Sequence, residues 1–282
     1  MKNLIINGLK KTSVFMGLVY AVVPEKFFEK IEYISNNMFS ISDTKMLNVI
    51  ISRGICFFII GTLYIICLYF YRHFRKKIII RGQNYLIQVE YGDILKTQNC
   101  KRIINFDECF TTKVGDGIAD INSNSICGQY LLLNPNFNIS KLIRDNKIKP
   151  DEKKSKYKNK IRYASGTIVP NGDDLLMAFA KLDEKGKGRF FSRDEYLECL
   201  DLLWKEIENY YSEKDVCVPI LGSGTTSFDG SAGASISQQD LLNMMIWSYR
   251  LSSHKIKAPH KLRIICKRND GFSINKDRKS VV

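Results

Sequence analysis

The stretch Val216-Cys217-Val218-Pro219-Ile220-Leu221-Gly222-Ser223-Gly224-Thr225-Thr226 joins an apolar run to a loop of small residues. Such a loop can converge several backbone N–H groups on one anion, because no Cβ blocks the approach. Phosphate binding is the chemistry it suits; an ordinary strand–turn without a ligand uses the same residues. Gly115-Asp116-Gly117-Ile118-Ala119 is a second glycine-bearing loop. Asp107, Glu108 and Asp116 are the candidates for a positioned base, and no nucleophile–base pair stands out. Asp183 to Asp194 has the outline of a calcium loop, with Asp first, Gly188 sixth and an acid twelfth. Lys185 and Lys187 stand where oxygen ligands are needed, which excludes calcium. The three histidines are scattered and the eight cysteines form no CxxC pair, so no metal site is expected. Thiols placed mostly in strand-like and helix-like segments favour a reducing compartment.

The elements that must position these loops alternate. Short strands are expected at Ile78–Ile80, Tyr85–Val89, Arg102–Glu108 and Arg162–Val169, and a helix over Ile126–Leu133. Leu175–Leu182 fits a strand or a short helix. Ser192 and Glu195 form a capping box before an amphipathic helix from Tyr196 to Tyr211. The glycine loop after Val218 is followed by a helix over Ser237–Ser252 and a last strand over Lys261–Cys266. This alternation from Tyr85 onward is an α/β domain with a parallel or mixed sheet. In such sheets ligands bind at the carboxyl ends of strands. Lys141–Lys160 is dense in lysine and reads as an exposed face or loop.

The N-terminal part differs in kind. Gly54–Tyr71 is uncharged and apolar, extends back over Val49–Arg53, and is followed by the basic run Arg72-His73-Phe74-Arg75-Lys76-Lys77. That pattern predicts a membrane helix with its C-terminal end in the cytoplasm. Thr12–Val23 is a shorter apolar run after a basic start. It fits a signal peptide or a tilted helix continuing through Phe27, Phe28 and Ile31; the poor cleavage site favours the helix. The expected organisation is a membrane region over 1–77, with helices at about 12–33 and about 48–71 and a basic stop at 72–77. A cytoplasmic domain over 78–282 follows, and both termini are cytoplasmic. The net charge of +14 suits anionic partners in general.

Three loops taken together resemble macro domains: Gly92-Asp93-Ile94, Ile103-Ile104-Asn105 followed by the Gly115 loop, and Pro219-Ile220-Leu221-Gly222-Ser223-Gly224. The implied fold is a macro-domain-like three-layer α/β sheet with helices on both faces, preceded by a transmembrane helical hairpin. Two membrane segments before a divergent macro domain resemble the membrane effector of type II Thoeris anti-phage defence. That resemblance implies a nucleotide signal of the histidine–ADP-ribose type, made by a TIR-domain protein. It also implies homo-oligomeric assembly on binding the signal, and disruption of the bacterial inner membrane with death of the infected cell.

Carried over by position, Asp93 and Ile94 would serve the adenine, and Gly115, Gly117 and Ile118 one side of the pyrophosphate. Gly222, Ser223, Gly224, Thr225 and Thr226 would serve the other side, Phe228 a ribose or base, and Asn105 the distal ribose. Hydrolytic macro domains carry a second Asn near this strand end. Asn105-Phe106-Asp107-Glu108 lacks it, so no catalytic residue and no cofactor is expected. Asp107 or Glu108 would instead meet an amine on a modified ligand. A membrane-tethered ADP-ribosyl hydrolase is the alternative. Nucleic-acid binding is not expected, because the basic stretches lack interleaved aromatic residues.

Overall fold

A computed structural model of the chain describes residues 2–28, 41–190, 192–224, 227–228, 236–268 and 272–274. The chain divides into two units, Met1–Arg75 and Lys76–Val282.

The first unit holds α1 (Lys2–Val22), α2 (Glu25–Phe28) and α3 (Ile41–Phe74). Within α3, Lys45–Tyr71 contains an 18-residue stretch of mean hydropathy 2.2 and is long and apolar enough to cross a membrane. The helix expected over about 12–33 is corrected. It begins at Lys2 and stops at Val22, because Pro24 lacks an N–H and disfavours helical backbone at Val23; residues 29–33 lie outside those described. The second helix is longer than the expected 48–71. Its polar start is used in packing: the buried Ser52 hydroxyl donates to the Phe28 carbonyl at 3.1 Å and to the Asn48 carbonyl at 2.8 Å. Small residues seat α1 against α3, since a Cβ on Gly8 would lie 2.9 Å from Ile65, and Gly61 faces Thr12. The Arg53 guanidinium lies 5.4 Å from the rings of both Tyr20 and Phe28.

The second unit comprises β1 (Lys77–Gly82), β2 (Tyr85–Tyr91), a 3-10 turn (Ile94–Lys96), β3 (Cys100–Asp107), α4 (Ile126–Leu133), α5 (Ile139–Asp145), β4 (Ile168–Asn171), β5 (Asp174–Leu182), β6 (Gly188–Phe190), α6 (Arg193–Tyr210), β7 (Asp215–Pro219), β8 (Ser227–Phe228), α7 (Gln238–Leu251) and β9 (Leu262–Cys266). The strands form one mixed sheet in the order β1-β2-β9-β7-β3-β5-β6-β8, with β4 also paired to β5. Its centre, β2-β9-β7-β3-β5, is parallel throughout.

Strand periodicity explains the layers. Along β5, Leu175, Met177 and Phe179 face a core built with Tyr196 and Trp204 of α6 and Met245 of α7. Leu176 and Ala178 face the opposite core, with Tyr130 and Leu131 of α4 and Ile139 of α5. A strand covered on both faces reads as a continuous apolar run, which is why the sequence left β5 open between strand and helix. The three-layer α/β arrangement is therefore as expected. The strand expected over Arg162–Val169 is corrected: it starts only at Ile168. Arg162 is drawn aside by Asp151 at 2.9 Å, and Gly166 sits at φ +106°.

Candidate functional site

Parallel strands bring their carboxyl ends to one edge of the sheet. There, Gly92 and Asp93 follow β2, Lys267 and Arg268 follow β9, Gly222–Gly224 follow β7, and Asn105 lies near the end of β3. Together they line a cleft of about 440 Å³. A larger cleft of about 1000 Å³ adjoins it, lined by Gly115, Gly117, Ile118, Asp107 and the turn after β5. Asn105, Asn122 and Ser125 line both, so the two are halves of one site. Its size suits a small organic ligand.

The smaller half is built for an anion. Ser125 caps α4, accepting from the Gly128 N–H at 2.9 Å, and Ser237 caps α7, accepting from the Asp240 N–H at 3.1 Å. Both helix starts border this half, and helix N-termini carry partial positive charge. Lys267 and Arg268 add full charges; the Arg268 guanidinium lies 5.1 Å from the Tyr91 ring. Gly222 adopts φ +80°, a turn that only glycine makes without strain, and it carries the chain from β7 into the cleft. Asp93 is tied down, its Oδ1 accepting from the Leu95 N–H at 3.1 Å. Ile94 lines this half from below, its side chain buried with Cys100, Cys217 and Ile265. Asn105 Oδ1 is buried with no hydrogen-bond partner. Leaving such an acceptor unmet costs about 1–3 kcal/mol, which a ligand donor would recover.

The acidic residues after β3 separate. Asp107 faces the larger half; its Oδ1 accepts from the Cys109 and Thr111 N–H groups at 2.8 and 3.2 Å. Burial pushes its carboxyl above the usual aspartate range, partly offset by those hydrogen bonds. Glu108 is 1% exposed and lines neither half. Its Oε1 accepts from the Ser155 hydroxyl at 2.5 Å and the Leu182 N–H at 3.1 Å, and its Oε2 lies 3.5 Å from Arg162. The expected ligand contact at Glu108 is corrected: the residue clamps the end of β3 to the end of β5. The reason is strand alternation: Glu108 follows Ile104 and Phe106 on the face of β3 that points into the core, so its side chain turns inward.

The remaining expected residues are placed as follows. Ile118 is 71% exposed at the rim. Phe228 belongs to β8, opposite Phe190 of β6. Thr225 and Thr226 lie outside the described residues.

The family model described as Thoeris protein ThsA, Macro domain, matches residues 87–267. The chain belongs to the ThsA macro-domain family. Thoeris protein ThsA of Bacillus amyloliquefaciens (strain Y2) is 32% identical over 200 residues, covering 67% of this chain and 65% of that protein. The chain thus spans just under two thirds of that relative's length. Among solved structures, the Oceanobacillus iheyensis macrodomain with ADP aligns at 10% identity and a TM-score of 0.43, over 68% of this chain and 89% of that one. The macrodomain of Thermus aquaticus DarG aligns at 11% identity and a TM-score of 0.35, over 65% and 98%.

The stretch matched by the ThsA macro-domain model starts in β2 and ends one residue beyond β9, so it contains the whole parallel centre of the sheet. Sequence reasoning missed several cleft residues of this ThsA-family domain: Asn122, Ser125, Gln238, Lys267 and Arg268. Ser125 and Ser237 carry a helix-cap signal that could have found them. Lys267 and Arg268 carry none beyond following a strand.

Proposed function

We propose that this chain is an anti-phage defence effector whose macro domain binds an ADP-ribose-derived signal of the histidine–ADP-ribose type, made by a TIR-domain protein. Binding then drives homo-oligomeric assembly and disruption of the bacterial inner membrane, killing the infected cell. The observation that carries the reading is the cleft at the carboxyl ends of β2, β9, β7 and β3, in a ThsA-family domain. Its smaller half gathers two capped helix starts, a Gly222–Gly224 turn, Lys267 and Arg268. A pyrophosphate fits this half, and the larger half leaves about 1000 Å³ for what lies beyond it.

The membrane part of the proposal is a two-pass hairpin with both termini cytoplasmic. It is supported by the apolar length of α3 and by outward-facing apolar residues such as Val14, Leu18, Phe58 and Leu63. α1 is uncharged only over Thr12–Val22, about 16 Å of helix, so among the described residues α3 alone has the length and apolarity to cross. Ligand binding shifts assembly only if the assembled state binds the ligand more tightly.

The test is thermal unfolding and particle size of the chain with ADP-ribose and with histidine–ADP-ribose. Stabilisation by the histidine form, with growth in size, is expected. No response to either would refute the reading, and turnover of the ligand would replace it with the membrane-tethered hydrolase.

A further inference from the structure

We propose that Lys10 and Lys11 line a water-filled, anion-selective pore, formed when several copies of this chain bring their α1 helices together. The inference rests on the membrane reading of α3 given above. α1 and α3 run antiparallel, and their contacts fix the level of each residue. Gly8 meets Ile65, Thr12 meets Gly61, and the Tyr20 hydroxyl donates to the Arg53 carbonyl. Lys10 and Lys11 therefore stand level with Leu63 and Thr62, in the middle of the uncharged stretch Gly54–Tyr71. Arg53 and Arg72, which bound that stretch, are about 14 Å away along the helix. A lysine stem is too short to carry its ammonium over that distance to the headgroups.

Nothing at that depth neutralises the two charges, because neither Lys2–Val22 nor Lys45–Tyr71 contains Asp or Glu. The face of α1 laid on α3 is Gly8, Thr12 and Met16, all buried, whereas Lys10 and Lys11 are exposed. α1 would have to break that buried seam to lie along the membrane surface instead. A lone hairpin thus holds two bare cations in lipid, which is costly; charges in spans face a bundle interior or water. Copies that turn α1 inward remove the conflict. Each adds two ammonium groups to a shared wet lumen, and the exposed Phe58, Ile59 and Leu63 of α3 stay toward lipid. Lys11 also borders a recess of about 380 Å³ with Thr12, Phe15, Ile60 and Tyr64, which has room and polar lining for hydration. Rings of cationic side chains pass anions in preference to cations, so small inorganic anions such as chloride are the permeant class. α1 is too short in apolar length to cross lipid alone, and in such an assembly it has no need to.

The test is current recording from the full chain in phosphatidylethanolamine–phosphatidylglycerol bilayers under a potassium chloride gradient, with and without histidine–ADP-ribose. Chloride is expected to permeate about five-fold or more over potassium. Lys10→Glu with Lys11→Glu should invert the preference, and the milder pair Lys10→Gln with Lys11→Gln should abolish it. Selectivity that ignores the charge at these two positions, or the absence of any current, would overturn the proposal. The nucleotide separates this inference from the function proposed above. Chloride-selective current indifferent to histidine–ADP-ribose keeps the pore and refutes the signal. Thermal stabilisation by the nucleotide without current keeps the signal and refutes the pore.

Discussion

Replacing Glu108 by alanine removes one carboxylate and leaves three groups without it. The Ser155 hydroxyl and Leu182 N–H lose an acceptor at 2.5 and 3.1 Å, and Arg162 loses a partner at 3.5 Å. Arg162 keeps Asp151 at 2.9 Å, so its charge is not abandoned. Breaking a buried charge pair costs about 3–5 kcal/mol, and the remaining partner places Glu108→Ala near the lower end, about 3 kcal/mol. For a domain of this size that lowers the midpoint of thermal unfolding by about 6–12 °C. Glu108→Gln keeps an acceptor for Ser155 and Leu182 and loses only the charge, so about 1–2 kcal/mol, or about 2–8 °C, is expected. Thermal unfolding followed by circular dichroism measures both. Below its midpoint the Gln variant should bind ADP-ribose and histidine–ADP-ribose with unchanged relative affinity. A Gln variant with wild-type stability and a selective loss of the histidine form would refute the clamp and return Glu108 to the ligand.

Three further outcomes are expected. Arg268→Ala should weaken nucleotide binding about ten-fold, with less effect at high salt, as titration at two ionic strengths would reveal. Gly222→Ala forces a Cβ into φ +80° and should destabilise the domain by about 1 kcal/mol, read from urea unfolding. Burial raises the Asp107 carboxyl, so the folded state keeps that proton to higher pH than the unfolded chain. Its contribution to stability is full below the ordinary aspartate value and is lost as pH rises through the raised one. Asp107→Asn should therefore flatten the fall in stability above about pH 4, measured by urea unfolding across a pH series.

The sequence already separated the apolar segment around Gly54–Tyr71 from the α/β part, because hydropathy over a helix length needs no tertiary information. The loops at Asp93, Gly115 and Gly222 were visible because glycine and turn residues mark strand ends. Their convergence depends on β9 lying between β2 and β7, which no local pattern encodes. Glu108 was misread because its charge drew it toward a ligand, although it continues the inward face of Ile104 and Phe106. The early stop of α1 was foreshadowed by Pro24, yet the apolar residue types at Phe27 and Phe28 invited its extension.

The position of β9 carries a consequence for synthesis. Leu262–Cys266 pairs on one side with Ile87–Tyr91 and on the other with Val216–Pro219. Until those residues leave the ribosome, β2 has no parallel neighbour and the β2 and β7 sides of the cleft are not joined. Lys267 and Arg268, the cationic residues of its smaller half, emerge later still. A pairing that spans roughly 175 residues of chain is slow to close and cannot form piecemeal. The helices of the first unit are made first and the cleft last, so a growing chain has no complete cleft until the sheet has sealed around its final strand.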